Sequence, residues 1–190
     1  MGDSFRPAPP QRAGMVWLSG LSGAGKTTVS IQLNSMLAEA GLRTVLLDGD
    51  QLRQGLCKDL GYSASDRHEN LRRAAEVCRL FSDTGAIVIA AFVSPLQADR
   101  DMVRELVGEN FFEVYCSAPL EVCEARDVKG LYALARQGRI PDFTGISAPY
   151  EVPRAPELVL DTARQTVRQC AAQICQLLHQ RQLISVPCHS

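Results

Sequence analysis

The chain has 190 residues, 46% hydrophobic and 22% charged, a composition suited to one globular domain of about 100–200 residues. Its 20 Lys and Arg against 21 Asp and Glu leave a net charge of −1, which argues against a general nucleic-acid binder, since such binding runs on a basic surface. The longest apolar run, Ala86 to Val93, is far too short to cross a bilayer, so no membrane partner is expected.

Residues 1–12, with Pro7, Pro9 and Pro10, read as a loose arm without the apolar segment of a signal peptide. The folded domain is expected over 13–185, followed by a short tail at 186–190. Met15–Leu18, Thr44–Leu47, Ala86–Phe92, Phe111–Cys116 and Leu158–Leu160 each read as a buried strand. These runs are continuous, as where helices cover both faces of a parallel sheet. After the first, Val29, Leu33, Met36, Leu37 and Ala40 recur at helical spacing, and Gly41 follows as a stop. Arg67, Asn70, Leu71, Ala74, Cys78 and Phe81 form a second stripe. A third comprises Val167, Cys170, Ala171, Ile174, Leu177 and Leu178, with Thr162 and Gln165 opening it as a capping box. Residues 127–156 are the least regular, and a segment that long inside a small domain is usually a lid or binding loop. Strand–helix alternation predicts an α/β fold, a mostly parallel five-stranded sheet flanked by helices. Seven cysteines (57, 78, 116, 123, 170, 175 and 188) without a CxxC pair read as reduced thiols, which places the protein in the cytoplasm.

Gly20-Leu21-Ser22-Gly23-Ala24-Gly25-Lys26-Thr27 fits GxxxxGK[ST] in full, with Thr28 following. It lies between the first strand and the first helix. There, glycines let successive N–H groups curl toward phosphate oxygens, and the helix terminus adds positive charge. Lys26 is placed to reach the β- and γ-phosphates, and Thr27 to hold Mg²⁺. The expected ligands are therefore ATP and Mg²⁺, in a P-loop nucleoside triphosphate hydrolase fold. No NKxD-like guanine reader occurs, which favours ATP over GTP.

The second strand ends in Asp48-Gly49-Asp50, beyond the carboxyl end of the sheet where ligands collect in such folds. Two carboxylates beside a phosphate cradle suit Mg²⁺ coordination and removal of a proton from an attacking hydroxyl. Arg53 follows one turn later. Arg67 and Asn70 continue a stripe that otherwise faces the core, so both aim inward. An inward Arg needs an anionic partner, either an internal carboxylate or a ligand group, and spacing alone favours the carboxylate. Arg72 and Arg73 read as a solvated face or surface pair.

At this point the chain resembles an adenylyl-sulfate kinase, over roughly residues 13–185. The resemblance rests on GLSGAGKTT (20–28), DGDQLR (48–53), DLGYSASDRHENLRR (59–73), VSP (93–95) and, most specifically, APLEVCEARDVKGLYALARQGRIPDFTGISAPYEVP (118–153). It implies transfer of the γ-phosphoryl of ATP to the 3′-hydroxyl of adenosine 5′-phosphosulfate. Asp50 would be the general base, with Asp48 supporting the Mg²⁺ site. Arg53, Arg67 and Asn70 would bind the phosphosulfate nucleotide, and Phe143 would stack on its adenine opposite Tyr62, where the family often has Phe. Lys129 and residues 129–145 would form a mobile lid. Ser94 aligns with a serine for which the family has carried a phosphoenzyme proposal. The resemblance also implies a homodimer and functional coupling to a sulfate adenylyltransferase.

One stretch departs from the family. Where it usually reads SPYRxxR, this chain has Ser94-Pro95-Leu96-Gln97-Ala98-Asp99-Arg100, so a Tyr and the first Arg are replaced while Arg100 is kept. Two rival readings stand beside the kinase of adenosine 5′-phosphosulfate. One is a P-loop kinase with a shikimate- or gluconate-like acceptor; the other is a nucleotide-binding module without turnover.

Overall fold

Met15, Val16, Trp17 and Leu18 have no exposed surface, because strand β1 (Gly14–Ser19) lies at the centre of the sheet. In the computed structural model, which describes residues 10–185, four further strands join it: β2 (Thr44–Asp48), β3 (Ile87–Ala91), β4 (Phe111–Ser117) and β5 (Leu158–Asp161). Their order is β2-β3-β1-β4-β5, and every pairing is parallel. Successive side chains of a strand face opposite sides, and β1 shows the result. Val16 and Leu18 enter one core with Leu33 and Leu37 of α1 (Lys26–Glu39) and Ile174 and Leu178 of α7 (Val167–Gln180). Met15 and Trp17 enter the other, with Leu71, Ala74 and Cys78 of α3 (Ala64–Asp83) and Val103 of α4 (Gln97–Val107).

The expected strands are all present, with ends shifted by a residue or so, but β2 and β5 are only partly buried because they form the sheet edges; α1 and α7 lie where their stripes place them. The cap of α7 is a correction. The box is formed by Thr166 and Gln169, one turn beyond Thr162 and Gln165. Thr162 is engaged elsewhere: its N–H and Oγ1 both donate to Ser117 O, at 3.0 and 3.1 Å, which ties the end of β5 to β4. Phe81 leaves the α3 stripe and is 39% exposed. The irregular segment contains a helix of its own, α6 (Leu131–Arg136), after α5 (Leu120–Arg126). Asp127 holds its start by accepting from Tyr132 N and Ala133 N, both at 3.0 Å.

Of the expected arm and tail, residues 1–9 and 186–190 lie outside the described residues. Gln11 and Arg12 are bound to the domain. Gln11 Nε2 donates to the carbonyls of Arg43 (3.1 Å) and Gly85 (2.7 Å), and Arg12 N donates to Leu183 O (2.8 Å). No helix among the described residues is long and apolar enough to cross a membrane. Cys57, Cys78, Cys116, Cys123 and Cys170 are buried free thiols.

Candidate active site

Residues 20–25 leave β1 and curl back into α1. At Gly20 (φ +141°) an added Cβ would lie 2.6 Å from Cys116 O, so only glycine lets the loop pass this close to β4. Gly25 caps α1 in the left-handed region with no side-chain cap, so the first-turn N–H groups have no side chain competing for them. Lys26 is 8% exposed and folds back on the loop, donating to Gly20 O (2.9 Å) and Leu21 O (2.7 Å). Thr27 and Thr28 follow on the first turn of the helix.

The aspartate pair meets this loop directly. Thr27 Oγ1 donates to Asp48 Oδ2 at 2.8 Å, and Asp48 Oδ1 caps α2 (Gly49–Gln54) by accepting from Asp50 N at 2.9 Å. Thus Thr27, Asp48 and Asp50 form one connected group beside the phosphate loop. The Asp50 carboxylate extends outward and pairs with Lys129 across 79 residues of chain. Among the described residues no cluster of three or more His, Cys, Asp or Glu forms a self-sufficient metal cage. One hydroxyl and two carboxylates suit a cation that draws its remaining ligands from substrate phosphates and water, as Mg²⁺ does.

Three elements meet on the acceptor side. Arg53 of α2 donates to Gly61 O (2.8 Å) and lies over the Tyr62 ring, 4.3 Å from its centroid. Arg67 donates to Tyr62 O (2.8 Å), Asp142 O (2.6 Å) and Thr144 Oγ1 (2.9 Å). It therefore binds carbonyls and a hydroxyl rather than the internal carboxylate that spacing favoured. Burial and the neighbouring Arg53 guanidinium lower its proton affinity. Asn70 is 5% exposed, and its Oδ1 has no hydrogen-bond partner. A buried amide oxygen in that state carries a desolvation cost that a ligand donor would relieve. Phe143 packs edge-on against Tyr132, with centroids 5.0 Å apart, so in this state it faces Tyr132 while Tyr62 lies beneath the two arginines. Arg72 and Arg73 are surface partners of Glu69, Glu76 and Asp59.

Ser94 follows β3 and turns its side chain into the protein interior. It is 1% exposed, and its Oγ accepts from Trp17 Nε1 at 2.9 Å inside the second core. Its φ of +45° is a left-handed conformation that costs a non-glycine residue about 1–3 kcal/mol. In this state the hydroxyl is turned into the core and engaged by Trp17, and Ser94 shapes the turn after β3.

A family model described as adenylylsulphate kinase matches residues 12–161. The chain belongs to the adenylylsulphate kinase family. It is 52% identical over 171 residues to an adenylyl-sulfate kinase of Acaryochloris marina, covering 90% of this chain and 83% of that one. It is 53% identical over 176 residues to the adenylyl-sulfate kinase of Marinobacter nauticus, covering 92% and 88%. Its fold matches that of the Mycobacterium tuberculosis APS kinase solved in complex with AMPPNP and APS, with a TM-score of 0.86 and 44% identity over 90% of this chain and 99% of that chain. The chain is thus a kinase, and the reading as a module without turnover falls away.

Three residues of this kinase went unremarked in the sequence although they lie in the 118–153 tract. Arg126 donates to Gly23 O (3.1 Å) and Thr162 O (2.7 Å), bridging the phosphate loop to the end of β5. Tyr132 donates its hydroxyl to Ser22 O at 2.9 Å, and Asp127 orients the helix that carries it. Arg126 and Tyr132 are marked only by their reach across about a hundred residues, which no local pattern encodes.

Burial pushes the Lys26 ammonium down from an ordinary 10.5 to about 8, against the opposing pull of Cys116, Cys123 and Asp48. A bound triphosphate favours the charged form. Nucleotide binding should therefore take up protons between about pH 8 and 10.5, where the free protein has lost the Lys26 proton. In the free protein this group favours folding more as pH rises through the window, because the unfolded chain then holds the extra proton. Calorimetry of an ATP analogue in buffers of different ionisation enthalpy should show uptake near pH 9, little near pH 7, and no difference in Lys26→Met. Equal uptake at both pH values in the wild type would contradict the assignment.

Proposed function

We propose a division of labour among these residues in moving the γ-phosphoryl of ATP to the 3′-hydroxyl of adenosine 5′-phosphosulfate, which yields 3′-phosphoadenosine 5′-phosphosulfate. The reading is carried by one observation: an intact phosphate loop joined through Thr27 and Asp48 to Asp50, in a chain of this family. Gly20 to Thr28 cradle the phosphates of ATP. Lys26 exchanges the Gly20 and Leu21 carbonyls for phosphate oxygens and follows the migrating group. Thr27, Asp48 and Asp50 would hold Mg²⁺, directly or through water, and the ion supplies charge neutralisation for the triphosphate.

Arg53, Arg67 and Asn70 take the phosphosulfate nucleotide, and its adenine lies between Tyr62 and Phe143. Phe143 must turn from Tyr132 to reach it, which fits residues 129–145 acting as a lid that excludes water. Lys129 leaves Asp50 when the acceptor enters, freeing the carboxylate as base. The 3′-oxygen then bonds to the γ-phosphorus as the bond to the β,γ-bridging oxygen breaks, and the hydroxyl proton passes to Asp50. ADP leaves with the bridging oxygen.

The cytoplasm, a homodimer, and coupling to a sulfate adenylyltransferase that supplies the phosphosulfate complete the proposal. A single-chain mass by light scattering would remove the dimer. The chemistry is tested by coupled ATP consumption over adenosine 5′-phosphosulfate, shikimate and gluconate. Turnover is expected with the first and only background with the others. Robust use of shikimate or gluconate with none of the phosphosulfate would overturn it.

A further inference from the structure

Arg100 is among the largest fully buried side chains of the protein, 1% exposed, and the reaction outlined above does not use it. Its guanidinium reaches three separate segments. Nη1 donates to Ser94 O at 2.7 Å; Nη2 donates to Glu151 O at 2.7 Å and to Gln97 Oε1 at 2.8 Å. Nε pairs with Glu113 Oε1 at 3.1 Å, outside hydrogen-bond geometry. Glu113 in turn accepts from Ser19 Oγ at 3.2 Å, immediately before the phosphate loop.

One of these segments borders the site, and another continues from the proposed lid. Because β3 lies between β1 and β2, the chain after it emerges between the phosphate loop and the aspartate pair. Gly20 N reaches Val93 O at 3.4 Å, and the Phe92 ring lies 3.0 Å from where a Cβ on Gly49 would stand. Residues 149–154 form the stem by which the irregular segment rejoins the domain. Glu151 N donates to Pro95 O at 2.8 Å, Gln97 N donates to Glu151 Oε2 at 2.6 Å, and Arg154 N donates to Gln97 Oε1 at 3.2 Å.

We propose that Arg100, with Gln97 as its adapter, is a positioning residue for the acceptor: it fastens the stem at 151–154 to the Ser94 turn and so fixes one wall of the acceptor pocket. The two carbonyls and the Gln97 amide oxygen satisfy donors that would otherwise be buried unpaired, and the left-handed Ser94 is held from both sides, by Trp17 and by Arg100. Gln97 matters in its own right. It presents an acceptor to both Arg100 and Arg154 N, which the arginine usual in the family at this position cannot do. In this chain, position 97 therefore serves the clamp. The inference rests on the proposed assignment of the acceptor side and of 129–145 as a lid.

Gln97→Ala is the informative variant, because Gln97 is only partly buried and its loss is expected to leave the fold intact. Its melting temperature should stay close to wild type and the KM for ATP within about 2-fold. The KM for adenosine 5′-phosphosulfate should rise about 10-fold, as a wall of the site loosens by a fraction of an ångström. Hydrogen exchange should speed up over 149–154 and stay unchanged in the phosphate loop. Arg100→Lys keeps the charge but loses the fork, and should lower kcat/KM for the acceptor about 10²-fold with a smaller effect on ATP. An unchanged acceptor KM despite faster exchange in the stem would overturn the proposal, as would equal losses for both substrates. Ligand-dependent slowing of exchange over 129–145 in the wild type reports on the lid by itself, so failure of the lid and failure of the clamp give different results.

Discussion

Lys26→Ala is expected to lower kcat by about 10²-fold or more while leaving the folded structure in place. The magnitude is that of losing one preorganised electrostatic stabiliser at a reacting centre. In the free protein the Lys26 ammonium binds two carbonyls of its own loop, Gly20 O and Leu21 O. Removing it leaves those acceptors to water, and also removes a buried cation held at the expense of hydration. The two effects on stability oppose each other, so the change in melting temperature should be small. The catalytic effects do not cancel, because no other described lysine or arginine bonds to the phosphate-loop carbonyls from within the cradle. Arg126 reaches Gly23 O only from the rim. Steady-state kinetics with a parallel thermal melt checks this. Near-normal turnover in a folded mutant would show that the loop does not catalyse.

The second large effect separates direct transfer from a covalent relay. Asp50→Asn keeps the side-chain shape but can neither accept a proton nor bring the same charge to Mg²⁺. A loss of about 10²–10⁴-fold in kcat is expected, the span for a positioned acid–base group. The variant should fold normally, since among the described residues the Asp50 carboxylate has a single side-chain partner, the exposed Lys129. Ser94→Ala should behave in the opposite way. It leaves the buried Trp17 N–H without its acceptor, a loss of about 1–3 kcal/mol of stability, yet folded molecules should keep most of their activity. The ordering is therefore Asp50→Asn much slower than Ser94→Ala, with the stability ranking reversed. Single-turnover quench with labelled ATP gives the deciding measurement. Label that appears on Ser94 and chases into product at the catalytic rate would establish the relay.

Much of this molecule is written locally. β1, β3 and most of β4 are runs of apolar residues hidden on both faces, and burial on both faces is what makes such runs continuous, whereas the edge strands β2 and β5 are apolar but only partly covered. The phosphate loop is legible because its function needs glycines, one lysine and one hydroxyl in consecutive positions at a strand–helix junction, so neighbours in sequence are neighbours in space. The Asp48–Asp50 pair is legible for the same reason, as two carboxylates at the end of one strand. The departure at Leu96 and Gln97 is also visible in the sequence, though its consequence is not.

What the sequence left open is decided by contacts between distant segments. Asp161-Thr162-Ala163-Arg164-Gln165-Thr166-Val167-Arg168-Gln169 contains the Thr-x-x-Gln box twice, four residues apart. Local chemistry cannot choose between the two; the choice falls to Ser117 O on the neighbouring strand, which takes both Thr162 donors and leaves Thr166 to cap the helix. Ser94 reads equally well as an exposed turn or a buried one until Trp17, 77 residues away, claims its hydroxyl. Arg67 finds the Asp142 carbonyl and the Thr144 hydroxyl instead of a carboxylate, and Lys129 finds Asp50. Helical and strand periods record which face of an element is buried. They carry no record of which element will cover it, because that depends on strand order, and strand order is settled only when the whole sheet closes over its two cores.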